Sequence, residues 1–287
     1  MALGLTAAFL IVQVVVAAVT NSLALLSDAG HMLTDVAGLA MALAAIQVAD
    51  RHEARHRPGG STSRHTFGLY RLEILAALLN AVLLVLIAGY VLFEAVRRIG
   101  GSPEVVAGPV IVVAGIGLVV NLVAYALLRR GAEESLNVRG AAFEVLADAV
   151  GSVGVLVGAT LVALFDWVWA DTAVAVAIGV WILPRTLRLG AQAVRILLQS
   201  APSALNLREL EGALAALPDV IDVHDLHAWT LTSDMEAVSA HLMTTADADP
   251  HATLDRAREL VSEQFGIHHA TFQVEPETHE GCAELHW

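Results

Sequence analysis

His31-Met32-Leu33-Thr34-Asp35 and Glu144-Val145-Leu146-Ala147-Asp148 decide the reading of this chain. Each sets two ionisable side chains four residues apart inside a long apolar run, so both project from one face of a helix. Ionisable groups in lipid-spanning helices are costly, turn to a bundle interior or a water-filled path, and mark ion or substrate routes. A single pair of this kind is equally well explained as a structural hydrogen bond between helices. A second pair at the same spacing on another run shifts the balance, because Glu144 and Asp148 cannot both stay charged in apolar surroundings without a cation. Facing one another, the two pairs offer one nitrogen and three carboxylates, a donor set for one divalent cation. Asp28, one turn before His31, has a plainer reading as a cap of its helix or a partner of Asn21.

Working outward, 56% of the 287 residues are apolar, and runs of about 20 such residues read as membrane spans. There are six: Leu3 to Val19, Ser22 to Val48, Leu72 to Val96, Val105 to Leu128, Ala141 to Phe165 and Val168 to Leu189. Glycines Gly151, Gly154 and Gly158 form a small-residue face on the fifth, suited to close helix approach. The first run starts almost at Met1 with no basic segment before it and no convincing cleavage site, unlike a removable signal peptide. That beginning is compatible with a short cytosolic tail upstream.

Arginines set the topology. Arg51, Arg55, Arg57, Arg64 and Arg71 follow the second span, Arg129, Arg130 and Arg139 the fourth, and Arg185, Arg188 and Arg195 the sixth. The loop Phe165-Asp166-Trp167-Val168-Trp169-Ala170-Asp171 has none and is aromatic, as interfacial belts are. Both termini are therefore expected in the cytoplasm. Arg97 and Arg98 break the pattern and are expected to snorkel at the opposite interface.

The formal charge of −13 belongs to the tail: residues 1–199 hold 13 Arg and 13 acids, residues 200–287 hold 3 Arg and 16 acids. An acidic tail with eight histidines argues against nucleic acid and for cations. Cys282 is the only cysteine, so no intrachain disulfide forms. Leu205 to Leu217 and Pro250 to Phe265 carry helical patterns; Val220 to Leu231, Ala237 to Met243 and Ala270 to Glu275 alternate as strands. The order α-β-β-α-β predicts a small ferredoxin-like α+β domain. The expected organisation is thus a six-helix membrane bundle over residues 1–199 and a cytosolic metal-binding and dimerisation domain over residues 200–287.

The stretch from Ser22 to Asp35, Ser22-Leu23-Ala24-Leu25-Leu26-Ser27-Asp28-Ala29-Gly30-His31-Met32-Leu33-Thr34-Asp35, resembles the second-span signature of the cation diffusion facilitators. Thr66-Phe67-Gly68-Leu69-Tyr70-Arg71, Val138-Arg139-Gly140-Ala141-Ala142-Phe143, Val223-His224-Asp225-Leu226-His227-Ala228-Trp229 and His269-Ala270-Thr271-Phe272-Gln273-Val274-Glu275 resemble further family segments in order. The likeness, to zinc-type exporters in particular, implies six-span metal–proton antiport with a cytosolic C-terminal domain. By position it implies a transport site of His31, Asp35, Glu144 and Asp148. Glu144 stands where the zinc-type pattern commonly has His, which hardens the site; Zn²⁺ remains the first expectation, with Co²⁺, Cd²⁺ and Mn²⁺ as alternatives. In the tail the resemblance favours His224, His241 and Glu275 as a regulatory zinc site, with His269, Cys282 or His286 as candidates to complete it. Taken singly, each tail histidine has a plain alternative as a scattered surface residue. Gln273 occupies a family ligand position, which argues against a two-metal tail site. In the loop after the second span, with His52, His56 and His65, only His65 matches, because Leu69 replaces the second histidine; that loop site is expected to be absent or weak.

The resulting expectation is zinc efflux with protons as counter-ion, by a homodimer in the lipid bilayer of the bacterial plasma membrane. Two other classes compete. A membrane metalloenzyme would need a motif such as His-Glu-x-x-His, or a Ser or Cys nucleophile beside a base, and the chain has neither. A metal-sensing receptor would bind the same ions and move none.

Overall fold

Apolar runs of membrane length have only one way to satisfy their backbone within a single segment, and that is the α-helix. The computed structural model describes residues 2–33, 36, 37, 40, 67, 70–99, 104–129, 136–232 and 235–278. Its first part is helical: α1 (Ala2–Thr20), α2 (residues 23–33), α3 (Arg71–Arg97), α4 (Ala107–Leu128), α5 (Leu136–Phe165) and α6 (Trp169–Leu197). Among the described residues, four helices are long and apolar enough to cross a membrane, within α3, α4, α5 and α6; Thr6–Thr20 is a shorter apolar helix. Large apolar side chains such as Leu86, Phe93, Val119, Leu164 and Trp181 stay exposed on these helices, the surface a lipid phase would cover. The chain packs as two units, Met1–Gln47 with Ala76–Gly190 and Val48–Leu75 with Ala191–Trp287.

In the first unit α2 runs antiparallel to α5, as three layers show. His31 meets Asp148 at 2.7 Å. One turn away, a Cβ built on Gly151 would stand 3.4 Å from Asp28 Oδ1. One turn further, Ala24, Leu25 and Val155 lie fully buried in one cluster with Val91 and Val110. Steps of three or four along α2 are thus matched by equal steps back along α5. The other two glycines of the small-residue face serve α6: Cβ atoms at Gly154 and Gly158 would lie 3.6 and 3.1 Å from Val174.

The start of α2 is fixed from another helix. Asp171, near the start of α6, accepts from the Leu23 and Ala24 N–H groups at 2.7 and 3.3 Å and from the Ser22 hydroxyl at 2.5 Å. Ser22 Oγ in turn accepts from Leu25 N–H at 3.1 Å, and Ser22 N–H itself donates to the Ala17 carbonyl at 3.2 Å. All four orphan donors of the helix end are therefore satisfied without water. Asn21 makes the preceding turn with φ of 55°, a left-handed conformation that Asn tolerates. Arg98 corrects the snorkelling expectation. Its side chain is buried, donates to Asn21 Oδ1 at 2.7 Å and lies 3.7 Å from Asp171. Arg97 is the exposed one, paired with Glu94 at 3.3 Å. Trp167 stacks on Trp169 at 5.8 Å and packs on Phe165 at 5.4 Å, forming an aromatic cluster in the arginine-free loop.

The tail shows the expected order: α7 (Leu207–Ala215), β1 (Val220–Thr232), β2 (Met235–Thr244), α8 (Pro250–Phe265) and β3 (His269–Pro276). Asn206 and Asp249 cap the two helices through their side chains, and Gly266 ends α8 at φ of 70°, the left-handed C-terminal residue that glycine favours. The sheet order is β1-β2-β3, with β1 and β2 antiparallel and β2 and β3 parallel. Val238, Ala240 and Leu242 bury one sheet face against Leu210, Leu214, Ala257 and Val261 of the helices. Alternation sends His241 to the other face.

Candidate metal centres

The membrane centre begins with His31 Nε2, 2.7 Å from Asp148 Oδ1, each side chain under one fifth exposed. Asp35 lies outside the described residues. Glu144 belongs to α5 by its backbone, and its side chain lies outside them. The structure therefore brings together one residue from each predicted pair. Asp28 neither caps α2 nor bonds Asn21; it sits within the helix, buried, and accepts from Gln13 Nε2 of α1 at 2.9 Å. Gln13 was legible as a polar residue inside an apolar run, but spacing along one helix carries no information about a neighbour on another.

The tail centre is built by strand register. His224 of β1 pairs directly with His241 of β2, and His241 with Gln273 of β3. Glu275, two residues beyond Gln273, projects to the same face. His241 Nδ1 lies 3.1 Å and His224 Nε2 3.9 Å from the Glu275 carboxylate. The imidazoles meet edge to face at 5.2 Å. One ligand atom from each of the three residues lies within 4.8 Å of the others. Ligands about 2.0–2.2 Å from a tetrahedral Zn²⁺ sit about 3.4 Å apart, so rotations closing roughly 1 Å would complete the set. Glu275 is only 4% exposed, and a buried carboxylate beside two imidazoles is a donor set suited to a cation.

Neighbouring groups orient these donors. Asp222 lies 3.2 Å from His224 Nδ1, which turns Nε2 toward Glu275, and Gln273 donates to Glu275 Oε1. Such outer partners fix tautomer and ring orientation. Asp225, at φ of 52° in the bulge between His224 and His227, holds His227 at 2.8 Å and lies 3.8 Å from His241 Nε2. These acids were visible in the sequence, but the bulge that aims them was not.

The other candidates fall elsewhere. His269 pairs in register with Ala237 and its ring meets Phe67 at 6.0 Å. It stands four residues from Gln273 along β3, about 13 Å at strand rise, and does not join the cluster. His268 bonds Ser262 at 2.9 Å. His52, His56, His65, Leu69, Cys282 and His286 lie outside the described residues.

Residues 1–198 match the family profile of the cation efflux transmembrane domain, and residues 202–277 that of the cation efflux protein cytoplasmic domain. The chain belongs to the cation diffusion facilitator family, in its zinc-type branch. It is 43% identical over 275 residues to the metal cation efflux system protein CzcD of Cupriavidus metallidurans, covering 96% of this chain and 84% of that one. It is 38% identical over 276 residues to the zinc transporter ZitB of Escherichia coli, covering 96% and 85%. It is 34% identical over 275 residues to a cadmium, cobalt and zinc/H⁺-K⁺ antiporter of Bacillus velezensis, covering 94% and 85%. A solved metal-bound C-terminal domain of the CzcD transporter matches 25% of this chain and 99% of its own length, at 32% identity and a TM-score of 0.24. This facilitator is an integral membrane transporter for divalent metal cation efflux, not an enzyme.

Proposed function

We propose that the facilitator exports Zn²⁺ in exchange for protons, through a site made by His31, Asp35, Glu144 and Asp148. The observation that carries this reading is the 2.7 Å approach of His31 to Asp148 between antiparallel apolar helices. Asp35 and Glu144 each stand four residues in sequence from a member of that pair, the spacing that puts two side chains on one face of a helix. Metal and protons then compete for one set of groups. At 2.7 Å two donors are close enough to share a proton; around a tetrahedral cation they must open to about 3.4 Å. Binding of the cation releases protons, and protonation expels the cation. Rearrangement of helices around a fixed site supplies alternating access.

The arrangement we favour has six spans over residues 1–199 and a ferredoxin-like cytosolic domain over residues 200–287. Both termini are cytoplasmic, and the membrane is the bacterial inner membrane. The tail acts as sensor: Zn²⁺ on His224, His241 and Glu275 ties β1 to β3 across β2, tightens a homodimer and biases the bundle. Cd²⁺ and Co²⁺ are second cargoes. The Bacillus velezensis relative's name carries both metals, with H⁺ and K⁺, whereas the harder carboxylate at Glu144 favours Mn²⁺ as a further alternative.

Everted vesicles with an imposed proton gradient test the reading. Zn²⁺ uptake is expected with the wild-type chain and not with Asp148→Ala. Undiminished uptake by Asp148→Ala would refute the site, and metal binding without any uptake by the wild type would make the protein a receptor.

A further inference from the structure

The layer next to His31 and Asp148, toward the N-terminal end of α2, has an unusual polar content. Asp28 is 9% exposed and Gln13 2%. Gln13 Nε2 donates to Asp28 Oδ2 at 2.9 Å. The same amide's oxygen, Gln13 Oε1, is buried and has no hydrogen-bond partner among the described residues. The other carboxylate oxygen of Asp28 faces Gly151, where a Cβ would come to 3.4 Å. Thus, where α5 presents Asp148 to His31, one turn on it presents a residue without a side chain, leaving space beside Asp28 Oδ1. A carboxylate and an unpartnered carbonyl oxygen, both dehydrated, are expensive to bury together. A buried polar group left unsatisfied calls for an ion or water that the packing admits.

Resting on the transport reading above, we propose that Asp28 and Gln13 form a second, oxygen-donor stop for the transported divalent cation, one helical turn from the His31/Asp148 pair. Three residues of helix rise about 4.5 Å, a single hop for an ion. Asp28 offers carboxylate oxygen, and Gln13, whose amide nitrogen now faces Asp28, offers its carbonyl oxygen when the amide turns over; the set is harder than the imidazole-containing site next to it. A weaker, harder stop beside a tight one lets a bound ion leave, since conduction through successive sites needs each to be favourable enough to enter and weak enough to exit. Gly151 keeps the path open at the crossing.

The test compares equilibrium Zn²⁺ binding with Zn²⁺ uptake for the full-length chain in proteoliposomes. Asp28→Asn keeps the shape and removes the charge; Gln13→Leu removes the carbonyl and alters no charge; Gly151→Ala narrows the gap. Each is checked by size-exclusion profile for a folded product. The expected result is a turnover at least about tenfold lower in Asp28→Asn, and lower in the other two, with the dissociation constant of the tight site held within about threefold. Turnover at the wild-type rate in Asp28→Asn and Gln13→Leu would overturn the proposal. So would loss of tight binding in Asp28→Asn, which would make Asp28 a ligand of the main site. Asp148→Ala, run beside them, separates the two ideas: if it transports normally the parent reading fails, whatever Asp28 does.

Discussion

Replacing Asp171 by Ala is expected to destabilise the membrane unit strongly. The carboxylate holds three donors at one helix start, the Leu23 and Ala24 N–H groups and the Ser22 hydroxyl, and it neighbours Arg98. It is only 1% exposed, so bulk solvent does not reach these donors. Two effects oppose each other. Alanine removes the cost of burying a carboxylate, but leaves the donors unsatisfied and one charge partner of a buried guanidinium gone. Each buried donor without a partner costs about 1–3 kcal/mol. Arg98 keeps Asn21 at 2.7 Å and Glu94 at 3.7 Å, so its share is smaller than for a fully orphaned charge. Because the groups share one network their losses do not add, and roughly 3–5 kcal/mol is expected in all. For a unit of this size that lowers Tm by about 10 °C. Asp171→Asn, retaining one acceptor oxygen, should lose about half as much. Thermal unfolding of the detergent-solubilised chain, followed by size exclusion after heating, measures the shift. A Tm for Asp171→Ala within about 2 °C of wild type would refute the capping argument.

Glu144→His should shift bound metal toward Zn²⁺ over Mn²⁺, since imidazole replaces a hard carboxylate; elemental analysis of purified wild type and variant checks this, and an unchanged ratio counts against Glu144 as a ligand. His241→Ala in the full chain should lower bound zinc by about one ion per chain, because a three-donor cluster losing its central residue falls below the coordination a structural site needs. Calorimetric titration reads the stoichiometry, and no change would remove the tail site. Gly158→Ala places a Cβ 3.1 Å from Val174 Cγ2 and 3.5 Å from the Ala170 carbonyl; overpacking of about 1–3 kcal/mol should appear as a lower Tm. Gly108→Ala, whose Cβ meets nothing within 4 Å, should leave Tm near that of wild type in the same assay.

What the linear chain settles about this facilitator is whatever depends on period and composition. Runs of lipid-spanning length set its described membrane helices, alternation set its strands to within a residue or two, and the i, i+4 spacing of His31 with Asp35 and of Glu144 with Asp148 picks out the residues of the proposed route. These features are local, so each can be read from its own segment. The tertiary structure alone decided which segments meet. It put His31 against Asp148, reached Asp28 with Gln13 from a different helix, drew Asp171 across to seal the start of α2, and turned Arg98 inward. In the tail it lined up His224, His241 and Gln273 across three strands and left His269 far along β3. Lone polar residues such as Gln13, Arg98 and Asp171 have no period of their own, and an unpaired polar group in a dry interior is satisfied by whatever partner packing brings within about 3 Å.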